Sequence, residues 1–184
     1  METQLKIVAL CGSLRKDSYN KKLIQLSQML SPEQMTITLV SYDDVPYYNQ
    51  DLDTNEAMPK PVAVFKQALA EADGFLIVSP EFNYSIPGAL KNALDWASRG
   101  NPSPLFGKPV SLMGATVGML GTSQMQNVFL SFFRLMNMPL VLQPQIFISQ
   151  VQTKFDEVGN FTDEKGKQLI QQNLENLKLL ILKR

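Results

Sequence analysis

The chain has 184 residues, with 17 Lys or Arg, 17 Asp or Glu and no histidine. That length suits a single domain over residues 1–184 with a full apolar core, needing neither disulfides nor a metal site. A formal charge of zero argues against general nucleic-acid binding, and the missing histidine excludes Ser-His-Asp and Cys-His catalysis and most transition-metal sites.

The opening "METQLKIVALCGS" lacks a basic leader and a long apolar run, so it reads as a first strand, "LKIVALC", and not as a signal peptide. Cys11 is the one cysteine, which precludes an internal disulfide and suits a reducing, cytoplasmic compartment. No apolar stretch approaches the roughly 20 residues of a membrane span, so no membrane partner is expected. "SYNKKLIQLSQML" follows with Leu23, Ile24, Leu26 and Leu30 on one helical face. Residues 35–41, "MTITLVS", read as a second strand, and residues 42–59 as a long polar loop. A helix starts near Pro61 and stops at Gly74, with proline at its head and glycine at its tail.

Residues 74–80, "GFLIVSP", form the most apolar and therefore central strand. "PGALKNALDWASRG" is a helix with Pro87 in its first turn and Gly100 beyond its end. Residues 109–115 make a fourth strand, "TSQMQNVFLSFFRLMNM" a fourth helix, and residues 140–149 a fifth strand whose internal proline suggests an edge or a bulge. An amphipathic helix opened by Thr162 or Asp163 closes the chain. Strands of continuous apolar character separated by helices imply an α/β fold of three layers, a doubly wound five-stranded parallel sheet of order 2-1-3-4-5.

In such sheets, ligands bind beyond the carboxyl ends of the strands where the strand order reverses. Three loops meet there. In "CGSLRKDSYN", Gly12 permits close backbone approach, and Ser13, Ser18, Asn20 and Arg15 offer polar groups beside a helix N-terminus. This stretch with its four nearby cations (Arg15, Lys16, Lys21, Lys22) is either a phosphate cradle or a solvated, serine-capped helix start. Neither GxxxxGK[ST] nor GxGxxG is present, which removes support for a triphosphate or a dinucleotide site. The second loop, within "SPEFNYSIPGALKNALDW", places Phe82 and Tyr84 where no core demands them. Either a planar heterocycle lies there, or a rigid turn packs against a neighbour. The third, "GATVGMLGTSQ", combines glycines with Thr116, Thr122 and Ser123 and is either a ring wall or a flexible connection. Phosphate at one loop and a flat ring at the other two describe a mononucleotide with a large planar head, for which FMN is the natural candidate.

"GSLRKDSYN" and "SPEFNYSIPGALKNALDW" closely resemble the signatures of the NAD(P)H-dependent FMN reductases, a family of small quinone, azo-dye and chromate reductases. The resemblance implies a flavodoxin-like fold and FMN held without a covalent link. It implies that Ser13, Arg15, Ser18, Tyr19 and Asn20 hold the phosphate. Pro80, Glu81, Phe82, Asn83, Tyr84 and Ser85 would border the ribityl chain and ring, largely through backbone groups. Ala115, Thr116, Val117 and Gly118 would close the other side. Phe82 stands where the family commonly has tyrosine, and Tyr84 where histidine is common; both keep a planar ring. Gln124 and Val128 stand where arginine and histidine are often found, which predicts weaker selection for the 2′-phosphate of NADPH.

The implied reaction is ping-pong: NADPH or NADH reduces the flavin and leaves, and a small-molecule electron acceptor replaces it. It needs no acid-base side chain, so no catalytic residue is named. Glu81, the one carboxylate beside the ring, is either a base or points away to a subunit contact or solvent. Relatives of this kind form homodimers or homotetramers. The apolar surplus of residues 119–138 and around Leu94 and Trp96 marks either such an interface or simply the core. The competing reading is a flavodoxin-type carrier that shuttles electrons without oxidising NAD(P)H itself.

Overall fold

The computed structural model describes residues 4–184, so the first three residues of the opening segment lie outside the described residues. Strands β1 (Leu5–Cys11), β2 (Met35–Leu39), β3 (Gly74–Val78), β4 (Val110–Ala115) and β5 (Ile146–Ile148) form one parallel sheet in the order β2-β1-β3-β4-β5. Helices α1 (Tyr19–Met29) and α5 (Glu164–Leu182) cover one face. Helices α2 (Lys60–Ala70), α3 (Gly88–Ala97) and α4 (Ser123–Leu135) cover the other. The expected three-layer, doubly wound architecture is therefore present, with β3 at its centre.

The two-residue side-chain period of a strand divides the core. Val8 and Leu10 of β1, Phe75 and Ile77 of β3, and Val110 and Leu112 of β4 face α2, α3 and α4. Ile7, Ala9 and Cys11 of β1, Leu76 and Val78 of β3, and Met113 and Ala115 of β4 face α1 and α5. Both faces are buried, which is why these strands read as unbroken apolar runs. One polar pair interrupts this core: the Ser111 hydroxyl donates to the Asn173 side chain, whose amide donates to the Pro144 carbonyl at 2.8 Å.

Several boundaries differ from the sequence expectation for identifiable reasons. The helix expected to run to Gly74 ends at Ala70. Gly74 instead opens β3, where a Cβ would stand 2.8 Å from Ile181 Cδ1. Pro87 lies outside α3 as its N-cap. β2 ends at Leu39 and not at residue 41, and β3 ends at Val78 and not at residue 80. Only Ile146–Ile148 of residues 140–149 are β5; Leu140 forms a separate bridge with Val110, and Pro144, lacking an N–H, separates the two. Asp163, not Thr162, caps α5 by accepting from Gly166 N at 3.0 Å. Leu94 and Trp96 are fully buried, so α3 carries no apolar surplus there. In the region of α4, Met125, Phe129, Phe133, Met136 and Met138 belong to the core, while Met119, Leu120, Val128, Leu130 and Leu135 are exposed.

The long 42–59 loop is fastened down. The Pro46 carbonyl accepts from Asn92 Nδ2 at 2.9 Å and from Trp96 Nε1 at 2.8 Å, and Tyr48 N donates to Asn92 Oδ1 at 2.8 Å. The Tyr48 ring meets Trp96 edge to face at 4.9 Å, and the Arg99 guanidinium lies 4.8 Å from its centre. A short 3-10 turn, Gln50–Leu52, completes it.

Candidate active site

The loops after β1, β3 and β4 gather at one edge of the sheet because parallel strands deliver their carboxyl ends to the same side. Their backbones touch. Gly12 N donates to Val78 O at 2.9 Å, and Ser79 N donates to Met113 O at 3.0 Å. A Cβ on Gly12 would lie 2.0 Å from Ser79 Oγ and 2.9 Å from Ser79 Cα. Gly114 is bounded in the same way by Thr122 Oγ1 at 2.1 Å and Ser79 O at 2.5 Å. These two glycines therefore serve the close approach of one loop to the next, not of the chain to a ligand. Gly118 differs, with only Thr116 Oγ1 at 3.7 Å near its open side.

In the first loop Ser13 and Ser18 are buried, while Arg15 and Lys16 are exposed and make no ion pair among the described residues. Ser18 caps α1 by accepting from Asn20 N at 3.2 Å. No protein acceptor is found among the described residues for the N–H groups of Leu14, Lys16, Asp17 and Tyr19. A nest of free N–H groups at a helix N-terminus, beside unpaired cations, suits a dianion such as phosphate. Lys22 is not part of it; its ammonium lies 5.6 Å from the Tyr19 ring centre and 5.2 Å from that of Phe155. The Asn20 side chain is also engaged elsewhere. Its amide donates to Ala115 O at 3.1 Å and accepts from Ala115 N at 3.0 Å, so it clamps the first loop to the end of β4. Cys11 is buried in the core, and burial pushes its thiol above its ordinary value.

The second loop is a tight hairpin. Phe82 N donates to Ser85 O at 3.1 Å and Ser85 N to Phe82 O at 2.9 Å, with Asn83 at φ 50° and Tyr84 at φ 60° between them. Two successive left-handed residues define a type I′ turn. This turn holds Phe82 and Tyr84 53% and 66% exposed. Asn83 and Tyr84 N–H have no acceptor among the described residues. The side chain of Glu81 is neither a free base nor directed to solvent. Its carboxylate accepts from Met125 N in the first turn of α4 at 2.9 Å.

The third loop is tied to β5 and the segment after it. Thr116 N donates to Ile148 O, Val151 N to Thr116 O and Gln150 N to Gly118 O, each at 3.0 Å. Val117 and Gly118 remain exposed at the same edge of the sheet. One wall was not expected from the sequence. Tyr42, Asp43, Val45, Pro46 and Tyr47 of the 42–59 loop face Leu14, Gly88, Ala89 and Asn92 across a cleft of about 450 Å³. Their only signal in the sequence is an aromatic- and proline-rich composition.

A five-stranded sheet of this order, with an anion nest and an aromatic hairpin at its reversal point, defines a flavodoxin-like protein of mononucleotide-binding type. The chain belongs to the NADPH-dependent FMN reductase family, whose model matches residues 5–153. It is 36% identical over 181 residues to an NAD(P)H-dependent FMN reductase of Pseudomonas aeruginosa, covering 98% of this chain and 97% of that one. It is 39% identical over 168 residues to a 2-hydroxy-1,4-benzoquinone reductase of a Burkholderia species, covering 91% of each. The solved structure of FerB, a flavoenzyme NAD(P)H:acceptor oxidoreductase from Paracoccus denitrificans, matches with a TM-score of 0.88 at 30% identity, over 97% of this chain and 98% of that one.

Proposed function

We propose that the chain is an FMN-dependent oxidoreductase that takes hydride from NADPH or NADH and delivers it to a quinone, free flavin or similar small acceptor in a ping-pong cycle. One observation carries this reading: the anion nest of the first loop opens beside an exposed aromatic hairpin and an open Val117–Gly118 wall at the same sheet edge. These residues fit FMN. The free N–H groups and Arg15 and Lys16 suit its phosphate, with Ser13, Ser18 and Tyr19 around them. Pro80, Glu81, Phe82, Asn83, Tyr84 and Ser85 on one side and Ala115, Thr116, Val117 and Gly118 on the other suit its ring. Asn20 supports the site as a clamp.

When bound, FMN supplies a ring that accepts and releases hydride. The chain's residues bind and orient. The nest fixes the phosphate end, the N–H groups of Asn83 and Tyr84 offer donors to the polar ring edge, and the clamped loops hold both walls before a ligand arrives. No acid or base in the site is required, in keeping with a chain without histidine.

The proposed active form is a homodimer or homotetramer in the cytoplasm, built on one domain over residues 1–184. The exposed apolar residues Met119, Leu120, Leu130 and Leu135 support self-association. No helix among the described residues is long and apolar enough to cross a membrane.

Loops 80–85 and 115–122 contain no lysine or arginine. Elsewhere Lys91 pairs with Asp95, Lys154 with Asp163 and Arg99 lies on Tyr48, while Arg15 and Lys16 are assigned to the FMN phosphate. We therefore expect kcat/KM for NADH and NADPH to agree within about tenfold, one unread ion pair being worth about 1 kcal/mol. The test is anaerobic addition of each nucleotide to the yellow, FMN-loaded protein. Bleaching by either one alone supports the reductase. A flavin that stays oxidised with both would identify an electron carrier, and a strong NADPH preference would refute the parity.

A further inference from the structure

The N-terminus of α4 is capped in an unusual way. Its N-cap residue, Thr122, has φ −126° and makes no side-chain capping bond, and no acidic residue stands in the first turn. The Thr122 hydroxyl is occupied elsewhere; it accepts from Gln126 Nε2 at 3.1 Å and lies against Gly114. The acceptor for the α4 N-terminus comes instead from a segment 44 residues earlier, as the Glu81 carboxylate on Met125 N at 2.9 Å. An ionised carboxylate at this point both satisfies a free N–H and interacts favourably with the helix dipole. Glu81 itself is half-buried beside the sheet edge.

The bond links two segments that are far apart in sequence. Among the described residues it is the one side-chain hydrogen bond between residues 80–85 and another element. The hairpin it anchors holds two non-glycine residues at positive φ, a conformation that persists only when its surroundings impose it. From Glu81 the connection runs to Met125, whose side chain is fully buried under α4. α4 is entered directly from loop 115–122. The strut therefore ties the hairpin to the helix that follows loop 115–122 directly.

We infer that Glu81 is a positioning residue, whose carboxylate sets the gap between the aromatic hairpin and the 115–122 loop by capping α4. This role rests on the flavin reading above. Removing the carboxylate releases one end of the hairpin and frays the first turn of α4 together, so the two walls lose their spacing as a unit. A neutral amide oxygen at the same place keeps the acceptor and loses only the charge. The effect is consequently graded: wild type above Glu81→Gln, and Glu81→Ala lowest.

The test compares wild type, Glu81→Gln, Glu81→Ala and a control, Ile170→Val, which trims the α5 core on the opposite face. FMN affinity is measured by flavin fluorescence quenching, alongside kcat and KM for NADH. The expected result is FMN affinity about tenfold weaker in Glu81→Ala, the effect of losing one charged cap, and within about threefold of wild type in Glu81→Gln. In FMN-saturated Glu81→Ala, kcat falls more than KM rises, and Ile170→Val matches wild type in both. Wild-type FMN binding with an unaffected Glu81→Ala would overturn the positioning role alone. So would equal losses in Glu81→Ala and Ile170→Val, which would reduce Glu81 to general stability. A wild-type chain that binds no FMN would overturn the flavin reading and this role with it.

Discussion

Arg15 is the side chain with the most at stake in the first loop. It is exposed, free of any ion pair among the described residues, and adjacent to the nest of N–H groups. A charged hydrogen bond from a guanidinium to phosphate is worth about 1.5–3 kcal/mol, so Arg15→Ala should weaken FMN binding roughly 10- to 150-fold. Equilibrium titration with FMN checks this, and unchanged affinity would remove Arg15 from the site. Lys22→Ala should leave FMN affinity close to wild type, because that ammonium already rests on the Tyr19 and Phe155 rings. The sequence motif already singles out Arg15 and leaves Lys22 as one more nearby cation; what shows where Lys22 goes is Phe155, far along the chain. The same holds for Asn20, whose partner Ala115 is 95 residues away, and for Glu81, whose partner is 44 away. Local composition marks such residues as members of a polar loop and says nothing of the partner.

Among the elements, the hairpin of residues 82–85 stores conformational strain. A non-glycine residue in the left-handed region costs of order 1 kcal/mol or more, and glycine adopts it freely. Tyr84 is mostly exposed, so its ring contributes little burial. Tyr84→Gly should therefore leave the stability of the FMN-free protein within about 0.5 kcal/mol of wild type, because about 1 kcal/mol of relieved strain offsets the roughly 0.4–1 kcal/mol that glycine's freedom costs through the unfolded chain, while removing an aromatic wall from the site. Urea unfolding of the two proteins would show it, and a loss of stability larger than this in Tyr84→Gly would mean the ring is supported by contacts that outweigh the strain. Elements with both faces buried are legible in sequence: β1 matches its expected range, and β3 is the central strand, since unbroken apolar runs report burial directly. β5 is less legible. It is three residues long at the edge of the sheet, where Phe147 is partly exposed and Pro144 interrupts the apolar run. The 42–59 loop gives no periodic signal at all, because it is ordered by hydrogen bonds to α3 and not by a repeating apolar face.

For the whole molecule, the attachment of α5 carries a dependence on pH. The hydrogen bond from Lys154, aided by the Gly166 N–H, holds the Asp163 carboxyl below its ordinary value. A carboxyl depressed by folding adds stability that is fully present above its unfolded pKa and is lost as pH falls through the folded one. Replacing Asp163 by Asn keeps an acceptor for the cap and removes the charge. The Tm of Asp163→Asn should lie below wild type near pH 7, and the difference should close by about pH 2. A gap that stays constant across this range would mean that the charge contributes nothing. The covered faces of the sheet make the overall architecture the most legible level of all, since helices on both sides of a parallel sheet leave few alternatives for a chain of this pattern.

The fastening of the 42–59 loop supplies a built-in optical gauge. Trp96 is the one tryptophan of the chain, and its indole N–H is bound to the Pro46 carbonyl in a fully buried position. Its emission therefore responds to the docking of that loop against α3 as well as to unfolding. Undocking would expose the indole and shift its fluorescence to longer wavelength while the sheet stays folded, so one intrinsic signal, compared with far-ultraviolet circular dichroism, separates motion of the cleft wall from unfolding of the domain.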